Sequence, residues 1–376
     1  MNNKIARFLA ENSPETPCLV VDLDLIAETY DVLCRYLSVA SVYYAVKANP
    51  APEIVAMLAR KGSNFDVASP AEIALCLDNG APAERLSFGN TIKKEKDIAF
   101  AHDRGVRLFA FDSAGELEKL ARKAPGARVF CRILVSCEGA DWPLSRKFGC
   151  TPEMAINLLH KARDLGLDPY GVSFHVGSQQ TDLGQWDHAV GAVAQMFTLL
   201  AETDINLRMV NIGGGFPAQY RGSIASIEQY AQAVTAALSR HFGNRLPEII
   251  VEPGRSLVGD AGLIQSEVIL ISDKGDGGDK RWVYLDVGKF NGLAETMDES
   301  IKYRIEAPGR SGAPRPVIIA GPTCDSADIL YERTEYRLPG DLEVGDKVEI
   351  LSTGAYTASY ASVGFNGFPP LRTYCI

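Results

Sequence analysis

The chain has 376 residues, a formal net charge of −9, and 46% hydrophobic against 23% charged residues. That length allows two domains around a large core, and the composition is ordinary for a globular protein in water. The negative balance argues against nucleic acid or an anionic membrane surface as a partner, while leaving room for a local basic pocket; no apolar run approaches the ~20 residues that span a bilayer.

The leading Met1-Asn2-Asn3-Lys4-Ile5-Ala6-Arg7 lacks the long apolar core of a signal peptide. The eight cysteines are scattered, without a Cys-x-x-Cys pair or a Cys/His ligand spacing. A cytoplasmic protein without structural zinc is the expectation.

The stretch Ser41-Val42-Tyr43-Tyr44-Ala45-Val46-Lys47-Ala48-Asn49-Pro50 reads as a buried strand ended by Asn-Pro. Alternation puts Tyr43, Ala45 and Lys47 on one face. Two readings of Lys47 stay open on this stretch alone. It is an ammonium snorkelling out of the strand end, or a desolvated amine of lowered pKa ready to form a Schiff base.

Downstream, β-rich runs alternate with helical ones. Helices are expected over 53–60, 70–78, 93–103, 114–122, 152–165, 186–202 and 227–242. Strands are expected over 64–67, 85–89, 106–111, 128–135, 170–175, 207–212 and 248–251. Thr151 and Pro152 supply an N-cap and a first helical position. With the opening strand this makes eight β/α units, which predicts an α/β fold with a parallel sheet. A closed (β/α)8 TIM-like barrel and an open doubly wound sheet both fit. Lys47, Asp66, Asn90, Asp112, His175, Gly213 and Glu252 end successive strands, and the barrel is favoured because only there do such ends converge on one mouth.

After Arg255 the pattern changes. Strands are expected over 263–272, 282–285, 317–320, 334–338 and 347–351, with a Gly/Asp-rich turn over 273–279. This predicts a C-terminal, mostly antiparallel β domain. The expected division is an N-terminal segment 1–20 pairing with the β domain, a barrel over 21–256 and the β domain over 257–376.

Gly213-Gly214-Gly215 follows a strand, so it is either a plain turn or a cradle of backbone N–H groups for an anion. Glu252-Pro253-Gly254-Arg255 is either a local ion pair or two separate ligands, Arg255 for a phosphate and Glu252 for a cation. A cofactor with both a phosphate and a basic ring nitrogen is pyridoxal 5'-phosphate, and its aldehyde needs a lysine, which points back to Lys47. His175 ends a strand at the same mouth, as a stacking ring or as a structural histidine, with Ser178 within reach of the phosphate.

An ordered set of motifs carries a wider resemblance: Tyr44-Ala45-Val46-Lys47-Ala48-Asn49, Phe65-Asp66-Val67-Ala68-Ser69, Lys147-Phe148-Gly149, His175-Val176-Gly177-Ser178, Gly213-Gly214-Gly215-Phe216-Pro217, Glu252-Pro253-Gly254-Arg255, Gly321-Pro322-Thr323-Cys324-Asp325, Gly354-Ala355-Tyr356-Thr357 and Phe365-Asn366-Gly367-Phe368. With these the chain resembles the fold-type III (alanine racemase-like) pyridoxal-phosphate decarboxylases of basic amino acids, and within them the bacterial ornithine and lysine/ornithine enzymes. The resemblance implies that Lys47 is the Schiff-base lysine, Asp66 the acid held near it, His175 the stacking ring and Glu252 the partner of the ring nitrogen. Ser178, Gly213, Gly214, Gly215, Arg255 and Tyr356 resemble the phosphate ligands. Cys324 resembles the residue that protonates the α-carbon after CO2 leaves. Cys324 and Asp325 resemble residues that reach the other subunit's site, which implies a homodimer with shared active sites.

The implied reaction is decarboxylation of L-ornithine to putrescine in polyamine biosynthesis, with L-lysine to cadaverine as a second reaction. The distal ammonium of such a substrate needs a carboxylate. Asp325 is one candidate. Glu295, then Asp298, are others, on a stretch that departs from the Tyr-Asp pair of the animal-type enzymes. Three rivals remain to be weighed. Diaminopimelate decarboxylases share many motifs but typically carry Cys-Glu before Ser, where this chain has Cys324-Asp325-Ser326. Alanine racemases share the barrel without the Cys-Asp motif. Catalytically silent, decarboxylase-like regulators have a broken lysine, phosphate or cysteine motif, and none is broken here.

Overall fold

The computed structural model describes residues 3–142, 147–275 and 280–376. By internal contacts it forms two compact units, one of residues 27–217 and 224–257, the other of residues 1–26, 218–223 and 258–376.

The first unit is a closed barrel of eight parallel strands: β1 (Ala40–Ala45), β2 (Asn64–Val67), β3 (Leu86–Phe88), β4 (Leu108–Phe111), β5 (Arg128–Arg132), β6 (Asp168–Ser173), β7 (Met209–Asn211) and β8 (Glu248–Val251). Each strand pairs with the next in order, and β8 pairs back onto β1 through Ile249–Ala40 and Val251–Val42. A parallel strand in such a barrel is covered on both faces, so it reads as an apolar run rather than an alternation. Leu108–Phe111 is buried at every position for this reason. Tyr43, Leu108, Ala110, Phe130, Met209 and Ile250 pack together as one buried cluster. The helices between strands start where the sequence dictates. Pro70 and Pro152 take first-turn positions, and the hydroxyls of Ser69 and Thr151 accept the Glu72 and Met154 N–H groups.

The structure corrects one local expectation. β1 stops at Ala45, and Val46–Ala48 form a single 3-10 turn. Pro50 forces Asn49 into extended backbone (φ −158°, ψ 104°), and the buried Tyr44 hydroxyl donates to Asn49 O at 2.8 Å. Lys47 therefore leaves the alternation of Tyr43 and Ala45 and stands on the turn, with Val46 and Ala48 buried on either side. β5 also stops short of its expected end, at Arg132, and β6 lies two residues earlier than expected, at Asp168–Ser173, so Ile133 and Phe174 fall outside the strands.

The second unit is an eight-stranded, mostly antiparallel sheet. Its main path runs Arg304–Glu306, Lys347–Leu351, Gly262–Ser272, Arg281–Leu285, Pro314–Ala320, Ile329–Pro339. Cys18–Val21 joins antiparallel to Gly262–Ser272 and is itself paired in parallel by Arg372–Cys375. Ile5, Leu9, Cys18, Val20 and Leu263 close a small core beneath this edge. Part of the predicted turn over 273–279 lies outside the described residues. Among the described residues no helix is long and apolar enough to cross a membrane, and no group of ligating side chains suits a metal ion.

Candidate active site

The predicted residues of the first unit gather at one end of the barrel. His175 follows β6, Gly213 follows β7, Glu252 follows β8, Lys47 follows β1 and Asp66 lies on β2. These five strands are consecutive neighbours around the barrel, so residues scattered over 205 positions from Lys47 to Glu252 share a single rim.

Lys47 Nζ lies 3.5 Å from Asp66 Oδ2, with the lysine side chain half exposed and the carboxylate buried. The lysine is thus open to the mouth rather than sealed in the core. Burial pushes the Asp66 carboxyl well above the carboxylate range; the Glu252 charge pushes the same way and Lys47 opposes both. Asp66 Oδ1 is buried without a hydrogen-bond partner. Gly89 makes room for it: a Cβ there would sit 2.0 Å from Oδ1.

His175 is held neutral. Burial lowers its pKa well below the usual value, and the Arg132 and Lys47 charges add to this. Its Nδ1 accepts the Gly177 N–H at 3.0 Å, which leaves the ring proton on Nε2.

The glycines pass too close to backbone for any side chain. A Cβ on Gly213, Gly214 or Gly215 would lie 2.3, 2.5 or 2.6 Å from the carbonyl oxygen of Phe174, Glu252 or Gly177 respectively. Gly213 and Gly215 also have positive φ, 67° and 100°. Beside this loop the buried Arg255 donates from Nε to Ser178 Oγ at 3.1 Å.

Two residues that sequence reasoning missed complete the rim. Asn211, the last residue of β7, is fully buried; it donates to Glu252 Oε1 and accepts the Gly213 N–H at 2.9 Å. Arg132, the last residue of β5, has its guanidinium pKa pulled down by burial, while Glu252, Asp66 and Asp112 pull it back up. Both carry the signal that singled out Lys47 and Asp66, a polar side chain closing an apolar barrel strand.

The remaining predicted residues belong to the other unit. Cys324 and Asp325 stand on an exposed loop, where Cys324 N–H donates to Asn366 Oδ1 at 2.9 Å and Asp325 Oδ1 accepts the Ala327 N–H at 2.8 Å. The buried Asp328 anchors that loop, accepting the Thr323 N–H at 3.1 Å and the Thr323 hydroxyl at 2.7 Å. Tyr356 has φ of 55°, an uncommon backbone state for a bulky residue. Glu295 is 3% exposed and Asp298 is exposed, both on a 3-10 segment, Ala294–Glu299, that kinks at Met297 and Asp298. The neighbouring Glu299 is occupied structurally, accepting the N–H groups of Glu332, Arg333 and Thr334.

The rim fits pyridoxal 5'-phosphate. It offers an accessible lysine beside a carboxyl, a tightly threaded glycine loop next to a buried arginine and serine, and a clamped carboxylate on the adjoining strand end. That combination on a parallel barrel with a β unit defines a fold-type III pyridoxal-phosphate enzyme.

Comparison with known proteins agrees. Residues 23–259 match the family model described as pyridoxal-dependent decarboxylase, pyridoxal binding domain. The chain is 35% identical to the lysine/ornithine decarboxylase of Selenomonas ruminantium over 369 residues, covering 98% of this chain and 91% of the relative. The lysine decarboxylase of the same organism, solved as a variant in complex with PLP, superposes with a TM-score of 0.91 at 34% identity, over 100% of this chain and 95% of that one. The lysine/ornithine decarboxylase of Vibrio vulnificus complexed with putrescine gives 0.88 at 29% identity, over 99% and 97%. The chain belongs to the pyridoxal-dependent decarboxylase family; it is a carboxy-lyase whose cofactor is pyridoxal 5'-phosphate.

Proposed function

We propose that this enzyme decarboxylates L-ornithine to putrescine and L-lysine to cadaverine, as a homodimer in polyamine biosynthesis. The observation that carries the reading is the rim itself, with Lys47 3.5 Å from Asp66 and Glu252 clamped by Asn211 on neighbouring strand ends. The likeness to lysine/ornithine decarboxylases supports the substrate class.

The bound cofactor supplies an electron sink for the pair left behind when the substrate carboxylate departs as CO2. The chain's residues supply the rest. Lys47 would hold the cofactor through its aldehyde. Asp66, kept protonatable by burial, exchanges a proton with Lys47 Nζ. Arg255, Ser178, Gly213, Gly214, Gly215 and Tyr356 bind the phosphate. Glu252 holds a proton at the ring nitrogen, and the neutral His175 packs on the ring without adding a competing charge. Cys324 delivers a proton to the α-carbon.

The distal ammonium is bound by Asp325 of the second subunit and by Glu295. Burial of Glu295 and exposure of Asp298 rank Glu295 first, because a carboxylate sheltered from water gives the stronger ion pair. Asp298 remains the second candidate. The exposed Cys324–Asp325 loop suits delivery of both side chains to another subunit.

A substrate panel tests this reading. kcat/KM for ornithine and lysine should each exceed those for arginine and meso-diaminopimelate by at least about 100-fold. Preference for meso-diaminopimelate would overturn it. Lys47→Ala should abolish the visible absorbance of the lysine-bound cofactor.

A further inference from the structure

Asn211 has only one arrangement that satisfies its neighbours. The Gly213 N–H can only donate, so it takes Oδ1 at 2.9 Å; Nδ2 is thereby left to face Glu252 Oε1. The side chain is completely buried, so no solvent competes for either bond. The backbone repeats the connection, since Glu252 N–H donates to Gly213 O at 2.8 Å.

We propose that Asn211 is a positioning residue, which aims the Glu252 carboxylate by an amide hydrogen bond and ties it to the first glycine of the phosphate loop. The inference rests on the assignment of Glu252 as partner of the ring nitrogen. Two carboxyls, Glu252 and Asp66, stand at this mouth, and the structure treats them unequally. Glu252 receives the Asn211 donor, whereas Asp66 Oδ1 is buried with none. The amide therefore fixes where the Glu252 carboxylate points. Through Gly213 the same amide fixes the span between the ring-nitrogen partner and the phosphate cradle. Both ends of the cofactor would thus be gauged by one side chain.

The test uses Asn211→Leu, of similar volume but without donor or acceptor, together with Glu252→Gln and the double variant. Among the described residues, Lys47, Asp66, Glu72, Asp112, Arg132, Cys137 and His175 are ionisable groups at or beside this mouth, and all stay unchanged in these variants. The expected result is a kcat lowered about 10- to 100-fold with KM within about 3-fold. The affinity of the apoprotein for pyridoxal phosphate, read by fluorescence quenching, should fall about 10-fold. Adding Asn211→Leu to Glu252→Gln should cost less than about 2-fold more in kcat, where the amide acts through Glu252, while the loss of cofactor affinity through Gly213 persists. If Asn211→Leu does not fold, Asn211→Ser takes its place, keeping a short acceptor near Gly213 without reaching Glu252. Penalties in kcat that multiply in the double variant, or an Asn211 variant with wild-type kcat and cofactor affinity beside a slow Glu252→Gln, would overturn the proposal. A Glu252→Gln enzyme at wild-type rate would instead overturn the assignment of Glu252, and this inference with it.

Discussion

Asp66 shows how a single buried carboxyl is tuned. Its pKa is raised in the folded state first by burial and then by Glu252, against the pull of Lys47. A raised folded value means that the folded state binds the proton more tightly than the unfolded chain does. The resulting stability is fully present below the unfolded carboxyl value and is lost as pH rises through the raised one. In the apoprotein, Asp66→Asn should remove this penalty and raise the melting temperature at pH 8 to 9 by roughly 2–4 °C, while slowing turnover. A lower melting temperature for the variant across that range would contradict the burial argument. Gly89 belongs to the same local problem. Its missing Cβ leaves the space that Asp66 Oδ1 occupies, so Gly89→Ala should cost about 1–3 kcal/mol in urea unfolding and displace the carboxyl from Lys47. Asp66 was legible in the sequence as a polar strand end. Its need for Gly89 was not, because the two lie 23 positions apart and meet only through the pairing of β2 with β3.

At the scale of elements, the short segment Ala294–Glu299 carries an acid, Glu299, that ties it to a distant strand. Glu299 has a positive φ of 57° and takes three backbone N–H groups at 2.6–2.9 Å from the strand Ile329–Pro339. Burial works to raise its pKa, but the bonds from Thr334, Glu332 and Arg333 outweigh it and hold the value at about 2. A depressed folded value contributes stability above the unfolded carboxyl value, and that stability is lost as pH falls from about 4.5 towards about 2. Glu299→Gln should therefore destabilise the β unit by about 1–3 kcal/mol at neutral pH and flatten its acid unfolding between those values. Hydrogen exchange of the Glu332, Arg333 and Thr334 amides would report the loss; unchanged protection would refute it. The sequence presents Glu295, Asp298 and Glu299 as three similar acids on one stretch. Only the approach of a distant strand shows that Glu299 caps three of its backbone N–H groups.

For the whole molecule, the homodimer reading makes a quantitative prediction. Lys47→Ala and Cys324→Ala subunits should each be inactive or strongly slowed on their own. Mixed in equal amounts, they should recover roughly a quarter of wild-type activity if each site takes one residue from each subunit. No recovery after subunit exchange has been confirmed by mass would exclude shared sites.

The sequence by itself determined the eight β/α units, the change to an antiparallel β region and the identity of the motif residues. Local periodicity, Pro and Ser/Thr caps, and glycines at strand ends are short-range signals that one chain carries in full. It missed the helix Leu23–Tyr36 and the three- and four-residue strands Arg304–Glu306 and Arg372–Cys375, segments it left without assigned elements. It also placed Lys47 on a strand face, where Pro50 and Tyr44 put it on a turn. Only the tertiary structure decided which polar strand ends are neighbours. Barrel closure brings β8 back to β1 and so sets Glu252 beside the Lys47–Asp66 pair, with Asn211 between Glu252 and the glycine loop. Those partnerships depend on strand pairing across long sequence separations, and burial then raises the Asp66 carboxyl while Asn211 holds that of Glu252.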